Sequence, residues 1–487
     1  MKVAGASGVG VGLAGCISSN DGGGGGGGGG GGEDTETDTQ INTEAPEEDI
    51  TVQFAGDSNF KKVEGEINKI LHDNGLPSNI TLEVIAGSFT TGDRKAKYKN
   101  ILSAGQKKPT IMMLDNGWML PFVVRGQLQN LSKSIPSEIT DKVMNDYFEA
   151  SVSTATMDGD LYGIPLFTDV PTIHYRKDLV EQAGYDPDNN GWATEPMSWS
   201  KFSEVIRTTM DETGKDGFTW QGKAYEGLSC CAFNEFMSTQ GGAYFGSLDN
   251  LFGPVGDRPI TVNEEPVIRS LKMMRTFIHG NDDPQALDSI TGNISPQAVV
   301  QMTEEPSREP FTNGEAIANR NWPYSIVING AEDAFGKDLG VMPIPYGVEE
   351  GQAKYDGVGG TCSALGGWHL GINPNSTDTQ KQAAVQIFKA ITKQDAQLRL
   401  FELGGWIPPV PSVFENKKAQ ELDIIGRYLD TLKVGGQNMV PRPVTRVWGQ
   451  ESTQISKEVN ATIQQNKTPA KAMESLAASL KQIENSV

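Results

Sequence analysis

Carboxylate, amide and guanidinium side chains recur beside flat aromatic rings at the loops of this chain. Asp115 and Trp118 stand in "LDNGWML", where an apolar run ends. Asn59 closes the turn "GDSN", and Thr91 and Arg94 lie in a second turn, "GSFTTGDR", where a solvated role accounts for them equally well. Gly366 and Gly367 precede Trp368 in "GGWHLGI", and paired glycines let a backbone approach a ligand closely. Arg442 is held in "PRP" between two prolines whose locked φ angles pre-organise it as a bidentate donor to vicinal hydroxyls. Together these types suit a ligand that presents hydroxyl groups and C–H ring faces. Planar polar groups pair with the hydroxyls, unpaired buried ones are costly, and aromatic rings supply contact area. Each has a plainer alternative: a helix cap for Asp115, a turn residue for Asn59, a surface ion pair for Arg442, core packing for the tryptophans. Tyr175, Trp199, Trp220 and Trp448 are assigned to core packing, and Trp406 in "GGWIPPVPS" to neither side.

Positioning those loops requires an alternation of strands and helices. A β-prone run from Ile50 to Phe54 precedes a helical pattern from Phe60 to His72; "NITLEVIAG" precedes a helical stretch through "DRKAKYKNILSAGQ"; "PTIMMLD" reads as a buried strand. Such alternation argues for parallel sheets with helices on both faces. Ligands in such sheets sit beyond the carboxyl ends of the strands. The loops after Phe54, Ile85 and Leu114 should therefore converge on one site.

The chain has 487 residues, more than one core serves, so two or more lobes are expected. Acidic residues outnumber basic ones, 62 to 41, for a net charge of −21. That balance disfavours nucleic acid and anionic lipid as partners and suits solubility in high salt. The opening "MKVAGASGVGVGLAGC" resembles a lipoprotein signal peptide over residues 1–15, with Leu13-Ala14-Gly15 directly before Cys16. Cys16 would carry the lipid and hold the chain to a membrane. With its glycine run, the segment 16–49 is expected to be a flexible leash. Cys230, Cys231 and Cys362 show neither a C-x-x-C pair nor zinc spacing, and both a bridge from Cys362 to either neighbour and buried free thiols stay open. Asn-x-Ser/Thr sequons at Asn79, Asn130, Asn293, Asn375, Asn460 and Asn466 suit a secreted surface. The four histidines are scattered without H-E-x-x-H, and neither a Walker A string nor a G-x-S-x-G elbow occurs. No catalytic residue, metal or cofactor is expected.

From "YGIPLFTD" through "TIHYR" to "KDLVEQAG", the chain resembles the hinge crossing of the family 1 extracellular solute-binding proteins, which deliver sugars to ABC importers. "FTWQGKAYEGLSCCAFNEFMSTQGG", "GEAIANRNWPYSIV", "LGVMPIPYG", "GGTCSALGGWHLGIN" and "PRPVTRVW" are similar to the trehalose/maltose-binding branch, in the family's order. The resemblance covers nearly everything from position 50 to the C-terminus. It implies an α/β, type II periplasmic-binding-protein-like fold with the ligand cleft between two lobes. Lobe 1 would comprise residues 50–168 plus 340–388 and lobe 2 residues 169–339 plus 389–487, with crossings near Asp169, Gly340 and Phe388. It implies that Asp115 bonds sugar hydroxyls, that Trp118 packs on a ring face, and that Asp169 reaches the ligand when the lobes close. Trp322 and Tyr324 occupy the segment that contributes a stacking ring. The implied partners are a sugar, such as trehalose, maltose or glucose, and the permease subunits, with the chain acting as a monomer. Two other readings stand beside this one. The same fold could bind a non-sugar solute such as a polyamine or a phosphate ester. Alternatively, Asp115 and Asp169 could form the carboxylate pair of a glycan-acting enzyme, although in the resembled family these acids only hydrogen-bond.

Overall fold

The computed structural model describes residues 38–88 and 90–486; the leader 1–15, Cys16 and the glycine run lie outside the described residues. The strands that position the site are, in chain order, β1 (Ile50–Gly56), β2 (Ile80–Ala86), β3 (Ile111–Asp115), β4 (Ile164–Asp169), β5 (Thr172–Arg176), β6 (Asp216–Thr219), β7 (Ala316–Asn321), β8 (Leu339–Met342), β9 (Ser363–Ala364), β10 (Gly366–Ile372) and β11 (Met439–Val440). They build one sheet of order β2-β1-β3-β10-β4 and a second of order β8-β5-β7-β6, while β9 pairs with β11. Periodicity explains their places. In β1, Val52 and Phe54 face the core while Thr51 is exposed, whereas every residue of β3, the central strand of the sheet, is buried, as a strand covered on both faces requires.

The expected parallel pairing holds for β1 with β2 and β3. It gives way at β10, which lies antiparallel between β3 and β4. Three cores result. Val52, Leu114, Leu370 and Phe388 belong to the first, under the first sheet. Ile173, Phe218, Phe236 and Phe277 belong to the second, and Val170, Phe311, Ile326 and Phe401 to a third.

The lobe limits differ from the expected ones. Residues 340–364 belong with the second sheet, because β8 pairs antiparallel with β5, Gly340 opposite Tyr175. Residues 389–404 belong largely with the first lobe, since Ile391, Ala396 and Leu400 pack into its core. The crossings expected near Gly340 and Phe388 fall instead at Leu365, between β9 and β10, and after the helix Gln394–Gly404. Residues 38–49 are docked rather than free. Ile41 is buried and donates its N–H to the Ser134 carbonyl at 2.9 Å. The Thr43 carbonyl accepts from Gln386 and Lys389 at 2.9 and 3.0 Å, and the Asn79 amide donates to the carbonyls of Pro46 and Glu48. Besides Asn79, three sequon amides are engaged: buried Asn130 donates to Asp160 and Tyr162, Asn375 to Asn373, and buried Asn460 to the carbonyls of Gly222 and Val300.

An ion-pair network anchors the C-terminal helices Trp448–Ile463 and Pro469–Glu484. The fully buried Arg258 guanidinium donates to Glu451 at 2.8 Å and Glu484 at 2.6 Å. Beside it, Val444 donates its N–H to the Leu251 carbonyl at 2.8 Å, fixing the loop that carries Arg442. Glu451 holds its proton to about pH 8, so at neutral pH Arg258 is the counter-ion of the Glu484 carboxylate, and removing it leaves that charge uncompensated. Arg258→Ala is therefore expected to lower the unfolding free energy by about 3–5 kcal/mol, measured from denaturant midpoints at neutral pH.

Candidate functional site

The ends of β1 and β3, the start of the helix Thr91–Ser103 and the crossing from β4 to β5 meet residues of the second lobe around a cleft. Its free space, open mouth included, is about 750 Å³. Of the residues singled out from sequence, Asn59, Asp115, Asp169, Trp322, Tyr324, Gly366, Gly367, Trp368 and Arg442 line it, and so do Thr91, Arg94 and Trp406. The three loops that follow β1, β2 and β3 do converge there.

Trp118 does not line it. Its side chain is fully buried, packed edge-on against Trp368 and Tyr98, because the turn after β3 directs it into the first core. Its indole N–H instead donates to Glu226 at 3.3 Å. The expected ring-stacking role of Trp118 is thus replaced by support of a carboxylate from the other lobe.

Charge is organised across the cleft. Asp115, the last residue of β3, accepts from the Gly117 N–H at 2.8 Å and from Arg442 at 2.7 Å. Burial raises its pKa, and the Arg442 charge works against that rise. Arg442 is therefore the buried partner of Asp115 rather than a free fork or a surface ion pair. Asp57 caps the helix Ser58–Lys62, accepting from the N–H groups of Asn59 and Phe60; burial lifts its pKa against the pull of Arg94, which lies 3.8 Å away. Glu304 accepts from the Tyr225 hydroxyl at 2.8 Å, and burial again raises its pKa. Asp169, the last residue of β4, has no hydrogen-bond partner for its carboxyl group among the described residues. Burial, reinforced by Asp57 and Asp115, pushes its pKa up to about 8. Three further cleft atoms, Arg94 Nε, Glu226 Oε1 and Arg442 Nε, are buried without a hydrogen-bond partner.

The aromatic rings are fixed from behind. Arg320 stacks on Trp322 at 4.6 Å and is itself held by Glu235 at 2.8 and 2.5 Å and by Gln221 at 2.8 Å. Arg94 stacks on Trp368 at 4.2 Å. Trp406 lies flat on Phe60, with ring centroids 4.0 Å apart. Gly366 is required by this packing, since a Cβ there would stand 2.7 Å from the Trp322 ring and 2.8 Å from Asp169 Cβ. Gly367 has φ +147° beside the Phe167 carbonyl, where a side chain would be strained. The Tyr324 hydroxyl donates to Glu305 at 2.5 Å.

Sequence reasoning missed Asp57, Phe167, Glu226, Gly227, Glu304 and the cysteine pair 230–231 among the lining residues. Asp57 stands two positions before the selected Asn59, and Glu226 opens the string "EGLSCC". Cys230 and Cys231 are joined to each other, and Cys362 is a buried free thiol; a bridge from Cys362 does not form.

Two lobes around a polar and aromatic cleft define a binding protein. The model of the family described as bacterial extracellular solute-binding protein matches residues 69–425, and the chain belongs to that family. It is a solute-binding protein, not an enzyme. It is 26% identical over 413 residues, 83% of this chain and 86% of the relative, to a probable ABC transporter-binding protein of Deinococcus radiodurans. It is 23% identical over 295 residues, 60% of this chain and 58% of the relative, to an arabinooligosaccharide-binding protein of Halalkalibacterium halodurans. Among solved structures, maltose-bound MalE3 of T. maritima superposes with a TM-score of 0.73 at 26% identity, covering 89% of this chain and 99% of that one. The GacH receptor of Streptomyces glaucescens shares the fold, with a TM-score of 0.70 at 18% identity over 90% of this chain and 98% of that one.

The buried ionisable groups set a pH dependence. Asp169 and Glu451 both titrate near 8 when folded, burial being the main cause, but near 4 when unfolded. Between those values the folded chain binds more protons, so stability falls as pH rises. His174 and His369, held neutral by burial down to about 3, act oppositely only below their unfolded pKa of about 6.5. Between pH 6.5 and 8 the carboxyl groups therefore dominate, and the ligand-free protein should lose about 1 kcal/mol per pH unit for each of them. Urea midpoints across this range are expected to fall less steeply in Asp169→Asn.

Proposed function

We propose that this protein captures a sugar between its lobes and passes it to the permease of an ABC importer. The ligand class we propose is a disaccharide such as trehalose or maltose, or glucose. One observation carries the reading: planar polar groups from both lobes and three tryptophans, Trp322, Trp368 and Trp406, share one cleft. Hydroxyl groups both donate and accept, so a sugar can serve the Asp169 carboxyl that lines the cleft together with the unpaired Nε atoms of Arg94 and Arg442. Five carboxyl groups against two guanidinium groups line the cleft, which weighs against a phosphate ester. The names of the arabinooligosaccharide-binding relative and the maltose-bound neighbour support the same class. Closure requires that the closed form bind the sugar more tightly than the open one.

Among the described residues no helix is long and apolar enough to cross a membrane. In this reading a lipid on Cys16 holds the monomer at the outer face of the cell membrane, near its permease.

Thermal unfolding in the presence of trehalose, maltose, glucose and arabino-oligosaccharides tests the proposal. A sugar present at 100 times its Kd should add about 2.7 kcal/mol to stability. Trp322→Ala is expected to weaken that sugar's binding by about 2 kcal/mol. A cooperatively unfolding protein whose midpoint moves with none of these sugars would overturn the sugar reading.

A further inference from the structure

Consecutive residues of a helix do not share a face. Cys230 and Cys231 nevertheless both line the cleft, together with Glu226 and Gly227 of the same segment. Two features bring this about. The residues lie in a π-helical turn, Leu228–Ala232, that runs into the helix Phe233–Thr239; single widened turns of this kind recur at functional sites. The disulfide between them then gathers both sulfurs into one patch.

That patch differs chemically from the groups around it. A disulfide carries no charge and donates no hydrogen bond, and divalent sulfur is polarizable and packs well on apolar faces. Its surroundings are charged: Arg442 Nη2 lies 4.0 Å from Cys231 Sγ and in turn 4.0 Å or less separates that guanidinium from Glu226 and Asp115. A sugar hydroxyl pointed at the sulfurs would give up its water for no comparable partner, whereas a C–H ring face loses nothing there.

We infer that the Cys230–Cys231 disulfide is a ligand-contact surface of the cleft, packing against the C–H face of one sugar ring and selecting against sugars that direct a hydroxyl at it. The inference rests on the sugar reading above. In the reduced state the two sulfurs separate and each gains an S–H donor, so the apolar patch is lost.

The full chain, purified without reductant, provides the test. Alkylation under denaturing conditions followed by mass spectrometry should leave the peptide holding Cys230 and Cys231 unmodified; two alkylated thiols in that peptide would overturn the inference. Affinity is then measured by calorimetry with trehalose, maltose, glucose and arabino-oligosaccharides on native, reduced and reoxidised protein. A water-soluble phosphine and water convert the disulfide into two thiols and the phosphine oxide. Oxidised glutathione restores it, releasing two molecules of reduced glutathione. The expected result is binding about tenfold weaker after reduction, recovered on reoxidation, and equally weak in the Cys230→Ser, Cys231→Ser double variant. Cys362→Ser, which leaves the pair intact, should bind as the native protein does. Should the double variant not fold, the reduction and reoxidation series decides alone. Native binding that reduction leaves unchanged overturns the disulfide contact while the sugar reading stands. Failure of the native protein to bind any of these sugars overturns both.

Discussion

Asp115 and Arg442 come from different lobes and meet across the cleft at 2.7 Å. Each charge gives up water to make that contact, and a pair of this kind is stable only if the remaining donors and acceptors are also served. Here they are not. Arg442 Nε and the neighbouring Glu226 Oε1 and Arg94 Nε lack hydrogen-bond partners, and Asp169 holds its proton to about pH 8 because burial makes its charge costly. The protein's own groups thus leave the cleft under-satisfied, and in the proposed reading the hydroxyl groups of a sugar offset that cost. In that reading the same imbalance favours closure on the ligand.

The tryptophans complement the charges. A guanidinium group stands behind Trp322 and another behind Trp368, and Phe60 stands behind Trp406. Each ring is immobilised before any ligand arrives, which lowers the entropy lost on binding. The supporting groups are themselves locked: Arg320 by Glu235 and Gln221, and Arg94 by burial against the first sheet. Gly366 serves the same end by absence, since any side chain there would push Trp322 and Asp169 apart.

The loops after β1, β2 and β3 were legible in the sequence because a strand's periodicity marks its own carboxyl end, and the switch to helix marks the crevice. Asp115, Asp169, Trp322, Trp368 and Arg442 were found for that reason or through family resemblance. Other features depend on long-range pairing, which local pattern does not encode. β8 reads as an ordinary apolar run, and only its register with β5 assigns it to the second lobe. Trp118 looks like a cleft residue by its distance from Asp115, but the backbone turn points it inward. The bond between adjacent cysteines escaped spacing rules because those rules describe separated pairs. Asp57 offers no sequence signal beyond that of a helix cap, and its second role appears only when Arg94 and the cleft come beside it.

The most direct measurement is a crystal structure of the protein with the sugar that stabilises it most. Electron density for a sugar between Asp115, Asp169, Trp322 and Trp368, with hydroxyl groups on the Asp169 carboxyl and on Arg94 or Arg442, is the expected result. A sugar bound elsewhere, or an empty cleft under saturating sugar, would contradict it.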